Sequence, residues 1–261
     1  MVIRTLHGFD LWIDPSSDSG VERSIYDTGT YEKGTLQVIE RMLPERGVFV
    51  DIGANIGLMT VLAARLVGPQ GRVIAFEPNP VARAILERNV RINDLTQVQV
   101  SPMAIGSIPS RSTIYEGVGS NRGRATLVQP SVERVGQEVE VVRLSDVVHA
   151  EDRMDLVKMD IEGFELEALK GMSEILARPE PPMLIVECSG GRENSFGRGS
   201  DPIFEHLIGL GKYRLFRGRS GKERLSPLIE VRSVQEMPDH DNLHCMTTLQ
   251  VERAGAAGLL A

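Results

Sequence analysis

The chain has 261 residues, 41% of them hydrophobic and 25% charged, a balance that argues against disorder, a collagen-like repeat or a disulfide scaffold, and its length suits one large domain or one domain with a small appendage. Twenty-nine Lys and Arg against 36 Asp and Glu leave a net charge of −7, so nothing draws the surface generally to phosphate backbones or anionic lipid. No apolar run approaches the ~20 residues of a membrane-spanning helix, and the N-terminal MVIRTLHGFDLWID has no long apolar stretch with a cleavage site, so the expectation is a cytoplasmic protein.

In chain order, Ile3, Leu6, Phe9, Leu11 and Ile13 alternate loosely around Gly8 and predict a short edge hairpin. Leu36, Ile39, Met42 and Leu43 recur at helical spacing before Pro44 and Gly47, which predicts a helix over 31–43. Short β-branched runs then alternate with helix-period segments, the rhythm of a parallel sheet with crossovers. Strands are expected over 48–51, 73–76 and 98–101. The helices between them carry Ile56, Met59, Leu62, Ala63 and Leu66 and, from 80 to about 93, Val81, Ile85, Leu86 and Ile92. A strand over 155–159, a helix over 164–172 and a strand over 183–187 follow, with Pro179, Pro181 and Pro182 breaking the chain before the last. Turn-rich GVGSNRGR between strand-like runs predicts a hairpin inserted within 111–142, and the Gly-rich 189–202 reads as a loop. A helix over 204–210 precedes terminal strands over 213–216 and 245–251, and AGAAGLLA reads as a frayed tail. Cys188 and Cys245 lack a CxxC companion and read as buried free thiols rather than a zinc site.

Asp51-Ile-Gly53-Ala54-Asn55-Ile-Gly57 follows a strand and opens a helix, the context in which a glycine turn becomes a ligand site. Gly53 permits close backbone approach, Asn55 tolerates left-handed angles, and Gly57 lets the helix start close to the strand. A dinucleotide fingerprint would read GxGxxG. Here Asn55 replaces its second glycine, which disfavours pyrophosphate. Glu77 ends the second strand, where a carboxylate accepts the two hydroxyls of a ribose, and Asp51 is placed to meet a cationic amino group. The pair suits a nucleoside carrying an amino acid; the plainer alternative is two strand-end carboxylates that cap helices.

VFVDIGANIG, VIAFEPNP, the AIG of 104–106 and LVKMDIEGFELEALKG together resemble the FkbM methyltransferase family, over roughly 31–187 and including the upstream pair Tyr31-Glu32. The resemblance implies a Rossmann-like α/β sandwich with a mostly parallel seven-stranded sheet and an antiparallel terminal strand. It also implies bound S-adenosylmethionine and methyl transfer to oxygen on a sugar or natural product. Carried over by position, Tyr31, Glu32, Asp51, Gly53, Ala54, Asn55, Gly57 and Asp160 would bind the cofactor around its methionine part. Glu77 would hold the ribose, Pro78 and Asn79 would lie beside the adenosine, and Ala104 and Ile105 would touch the adenine. Met103 stands where related enzymes often have Asp. The domain expectation is an N-terminal hairpin and helical cap over 1–44, a cofactor domain over 45–253 and a flexible tail over 254–261.

Asp160, Glu162 and Glu187 fall at the carboxyl ends of the later strands and are the candidate catalytic acids, one of which would take the proton of an attacking alcohol. In the structural alternative Asp160 binds the cofactor and Glu162 favours a helix dipole. Three acids could also suit a divalent ion, but no matching motif accompanies them and no metal is assigned. His240 reads as a surface histidine, and the basic stretch 214–224 as a solvated face that could meet an anionic acceptor. The expected partner is a small-molecule or carbohydrate acceptor, without nucleic acid or membrane. Rival readings are an NAD-binding oxidoreductase and a non-catalytic cofactor-binding partner subunit.

Overall fold

The structure, a computed structural model, describes residues 1–115, 125–129, 136–148, 152–188 and 200–261. Much of the inserted hairpin within 111–142 and most of the 189–202 loop therefore lie outside the described residues.

The chain opens with the antiparallel pair β1 (Val2–Arg4) and β2 (Asp10–Trp12), then α1 (Val21–Thr28) and α2 (Lys33–Met42). The repeating core follows as β3 (Val48–Ile52), α3 (Leu58–Val67), β4 (Arg72–Phe76), α4 (Pro80–Ile92) and β5 (Val98–Ser101). A smaller three-stranded sheet is built from β6 (Ala104–Ile105), β7 (Ser110–Tyr115) and β8 (Gly136–Val142), and leads into α5 (Leu144–Val147). Then come β9 (Leu156–Met159), α6 (Glu165–Gly171), α7 (Ser173–Leu176), β10 (Met183–Cys188) and α8 (Asp201–Gly209). The chain ends with β11 (Arg214–Gly218), β12 (Leu228–Val231), β13 (Asp241–Met246) and α9 (Thr248–Ala256).

The large sheet runs β12-β11-β13-β10-β9-β3-β4-β5. From β10 to β5 the strands are parallel; β13 runs antiparallel between β10 and β11, and β12 is an eighth strand added at that edge. Helices cover both faces, so the parallel strands read as nearly continuous apolar runs. Their period of two sorts the residues between two cores. Phe49, Leu156, Met183 and Ile185 pack with α2, α3 and the N-terminal segment, whereas Val50, Ile52, Val157, Met159, Leu184 and Val186 pack with α6, α7 and α8. Asp51, Lys158 and Glu187 have the parity of the first set, and they put three charged groups on the face that looks toward α2.

Three expectations at the chain ends change. A helix, α1, occupies 21–28 where no element was expected. The last strand ends at Met246 rather than continuing to 251, because Thr247 and Gln250 form a reciprocal capping box that starts α9. Residues 254–261 are not frayed. Leu259 is buried and its carbonyl accepts a 2.7 Å hydrogen bond from Leu228 N, while Leu260 bridges to the same strand. Both cysteines are free and buried, and no helix among the described residues is long and apolar enough to cross a membrane.

Candidate functional site

The turn after β3 closes on β4. Gly53 N and Ala54 N both donate to Phe76 O, at 2.9 and 3.1 Å. Gly53, Asn55 and Gly57 all have positive φ, at 80°, 50° and 92°. A Cβ on Gly53 would stand 1.9 Å from the carbonyl oxygen of Asp160, and one on Gly57 would stand 2.4 Å from Leu86 Cδ1. The glycines therefore admit the neighbouring strand end and a side chain of α4, respectively. Glu77 ties this turn to the next: its Oε2 accepts from Asn55 N at 2.7 Å and its Oε1 from Asn79 N at 2.9 Å. Burial, only partly offset by those amides, raises its pKa to about 7.

Beside Glu77 opens a narrow cleft of about 60 Å³. Gly53, Asn55, Glu77, Pro78, Ala104, Ile105 and Asp160 lie on its wall, with Met103, Ile114, Ala125 and Leu127 adding apolar surface. Other candidates lie elsewhere. Asp51 is fully buried beneath the turn, where its Oδ2 accepts from Thr60 Oγ1 at 2.6 Å. Ala54 packs with Ala75 and Leu86. The side chain of Asn79 caps α4, accepting from Val81 N and Ala82 N.

Asp160 belongs both to the cleft and to a buried charge cluster behind it. Its Oδ2 accepts from Lys158 Nζ at 2.8 Å, and its carboxylate shares a hydrogen bond with Glu187. Lys222, from the connection between β11 and β12, places its Nζ 2.8 Å from Glu32 Oε1 and bonds to Glu187 Oε1 as well. Asn242 Nδ2 donates to Glu32 Oε2 at 3.2 Å and to Thr35 Oγ1 at 2.7 Å. Oxygens of Glu32, Asp160 and Glu187 lie within 4.8 Å of one another; the ammonium of Lys222 stands among them and supplies the balancing cation.

The electrostatics follow from this packing. Burial, the Asp160 charge and their shared hydrogen bond push the Glu187 carboxyl up to about 9. Burial opposes ionisation of Asp160 too, but Lys158, the Glu187 hydrogen bond and Lys222 outweigh it and hold Asp160 below the usual carboxylate range. The hydrogen-bonded pair thus holds on to one proton between its two carboxyls. Burial likewise disfavours the Lys158 and Lys222 ammonium groups, yet the surrounding carboxylates keep both well above the ordinary lysine value. Tyr31 is pushed above its usual range by burial and by Glu32.

Glu162 sits at φ 52° in the turn after β9, with its carbonyl accepting from Thr126 Oγ1 at 2.8 Å. Glu165 braces that turn and had not been singled out from sequence: its carboxylate accepts from Ile161 N at 3.1 Å and Gly163 N at 3.0 Å. Lys158 and Lys222 were also missed. Lys222 leaves the solvated face expected for 214–224 and lies half-buried against the acids. His240 is exposed, with its Nε2 3.9 Å from Asp239.

Residues 51–217 match the family described as the methyltransferase FkbM domain. The chain belongs to the FkbM methyltransferase family. Among its relatives, methyltransferase sdnD of Sordaria araneosa is 35% identical over 163 residues, covering 51% of this chain and 62% of that protein. Hexuronic acid methyltransferase AglP of Haloferax volcanii is 26% identical over 165 residues, covering 61% and 63%. The chain thus spans about three fifths of the length of these relatives. A solved protein of Pyrococcus horikoshii, PH0793, has the same fold at a TM-score of 0.51 and 12% identity, over 95% of this chain and 72% of that one.

The cofactor of an FkbM methyltransferase is S-adenosylmethionine, and the residues of the cleft fit it. Glu77 spends one lone pair of each oxygen on the two amides, so acceptor capacity remains for a ribose diol. Pro78, Ala104 and Ile105 give the wall apolar surface and Asp160 gives it a carboxylate, the groups that an adenine and a sulfonium would need.

Proposed function

We propose that this FkbM methyltransferase transfers the methyl group of S-adenosylmethionine to a hydroxyl of a sugar or secondary metabolite by in-line displacement. The observation that carries the proposal is Asp160: a carboxylate on the cleft wall, held by hydrogen bonds to Lys158 and Glu187. When bound, the cofactor supplies an electrophilic methyl on a sulfonium. Aligning acceptor oxygen, methyl and sulfur is worth up to ~7–11 kcal/mol. A hydroxyl becomes strongly acidic only as its new bond to carbon forms. The weakly basic Asp160 therefore suffices: it orients the hydroxyl by accepting its hydrogen bond and takes the proton late in the step. A placed base of this kind contributes ~10²- to 10⁴-fold.

A sugar acid or other small hydroxylated acceptor is favoured by the hexuronic acid methyltransferase among the relatives and by the net charge of −7, which gives RNA no general attraction. The family weighs against the NAD-binding alternative, as does the DxGxxxG turn. The test is incubation with the deuterated-methyl cofactor and separate panels of glycosides, uronic acids, amines and RNA, read by mass spectrometry. A label on glycoside or uronate oxygen is expected, falling by about 10²-fold or more in Asp160→Asn. A label confined to nitrogen or RNA, or full turnover by Asp160→Asn, would overturn the proposal.

A further inference from the structure

Asp160 reaches the cleft from a turn with an unusual backbone. Glu162 and Gly163, which follow it, are both left-handed, at φ 52° and 99°, and an L-residue such as Glu162 keeps that conformation only where its surroundings enforce it. The turn is gripped along its whole length. At its start Asp160 N donates to Ile52 O at 3.0 Å, and the Asp160 carbonyl lies against Gly53. In its middle the Glu165 carboxylate gathers two amides, accepting from Ile161 N at 3.1 Å through Oε1 and from Gly163 N at 3.0 Å through Oε2. Between those amides, Thr126 Oγ1 donates to Glu162 O at 2.8 Å.

Both anchors are fixed to other parts of the cleft. Glu165 is buried and opens α6, and α6 is wedged against the wall that carries Ala104 and Ile105: a Cβ on Gly171 would stand 1.9 Å from the carbonyl oxygen of Gly106. Thr126 exchanges backbone hydrogen bonds of 3.1 and 2.9 Å with Tyr115 at the end of β7, and its neighbours Ala125 and Leu127 lie on the cleft wall. Asp160 and Ile161 are on that wall too, whereas Glu165 is not. The carboxylate of Glu165 thus reaches the site only through the backbone that it holds.

Resting on the methyl-transfer reading above, we propose that Glu165 is a positioning residue for the reaction: through the amides of Ile161 and Gly163 it fixes the chain that presents Asp160 to the acceptor, with Thr126 clasping the same turn from the inserted sheet. Lys158 and Glu187 hold the Asp160 carboxylate, and Glu165 holds the backbone behind it. Alignment at a reacting centre is sensitive to displacements of about an ångström, so loosening the turn slows transfer without unseating a cofactor bound beside Glu77.

The test is a double-mutant cycle of Glu165→Gln and Asp160→Asn. Turnover of the deuterated-methyl cofactor is measured on whichever acceptor of the panel takes the label, and affinity for S-adenosylhomocysteine by calorimetry. Glu165→Gln keeps the shape of the side chain but replaces one acceptor oxygen with a donor. It is expected to lower kcat by about tenfold or more, to leave S-adenosylhomocysteine affinity within about threefold, and to cost less than about threefold further in the Asp160→Asn background, because the two residues act as one unit. Hydrogen exchange read by mass spectrometry needs no acceptor: the segment 159–165 should exchange faster in Glu165→Gln than in wild type. Should Glu165→Gln fail to fold, Thr126→Val frees the same turn from the inserted sheet and is expected to lower kcat by about threefold or more, with Thr126→Ser restoring it. Wild-type turnover, unchanged exchange, or a loss that multiplies fully with that of Asp160→Asn would overturn the role of Glu165. A label on nitrogen or RNA would instead overturn the hydroxyl reading, and the cycle run on that acceptor still decides for or against Glu165.

Discussion

Cofactor affinity should depend on pH through Glu77. Its carboxyl is raised to about 7 by burial, so near neutral pH the free site is divided between protonated and ionised forms. Ribose hydroxyls donate to a carboxylate more strongly than to a neutral acid, so binding favours the ionised form and releases a proton below pH 7. Affinity for S-adenosylhomocysteine should therefore rise about tenfold per unit as pH climbs toward 7 and level off above it, a gain of about 30-fold, or ~2 kcal/mol, between pH 5.5 and 8. Linkage gives the free protein the opposite trend. The folded-state pKa is raised from 4.5 to about 7, so the contribution of Glu77 to stability is fully present below pH 4.5 and is lost as pH rises through 7, by at most ~3 kcal/mol. Calorimetry in buffers of different ionisation enthalpy counts the released proton directly. Glu77→Gln, which cannot ionise, should bind more weakly and lose the pH slope. A wild-type affinity that is flat from pH 5.5 to 8, or a slope that survives in Glu77→Gln, would refute the assignment of Glu77 to the ribose.

Two packing predictions test the frame around the site. Gly53→Ala forces an L-residue to φ 80° and puts its Cβ 1.9 Å from the Asp160 carbonyl oxygen; strain and overpacking together should cost about 2–5 kcal/mol in urea unfolding, and a loss below ~1 kcal/mol would mean that the turn and the end of β9 can part easily. Leu259→Ala removes a buried side chain at the edge of β12, and a loss of about 2–5 kcal/mol is expected; a value near zero in the same assay would restore the picture of a loose tail.

The parallel core was legible because burial on both faces writes itself into sequence: VFVDI, RVIAF and MLIVEC are strands with scarcely a solvent-facing position. The ends of the chain were less so. CMTTLQV alternates like a strand, and only the Thr247–Gln250 box distinguishes a strand end from a helix start. The small residues of AGAAGLLA carry almost no pattern of their own, since Leu259 and Leu260 gain their partners from β12, about thirty residues earlier in the chain. The short α1 offers little apolar surface, with Val21 and Ile25 its buried hydrophobic positions.

At the site, the residues beside the glycine turn were readable because a strand end, a turn and a helix start are contiguous in sequence. The charge cluster is different in kind: it takes Glu32 from the start of α2, Lys158 and Asp160 from β9 and the turn after it, Glu187 from β10 and Lys222 from a distant connection. One signal was nevertheless present. Lys158 interrupts LVKM and Glu187 interrupts LIVEC, runs otherwise buried on both faces, and a charge in such a run is costly unless another charge meets it. Strand parity then says where to look, because 158 and 187 point with Phe49 and Ile185 toward the α2 face rather than with Val50 and Val186 toward α6. Two opposite charges on adjacent parallel strands, on one face, require a buried ionic site at that end of the sheet. Glu32 was already marked by the Tyr31-Glu32 pair of the family resemblance; only Lys222 depends on contacts that no local pattern encodes.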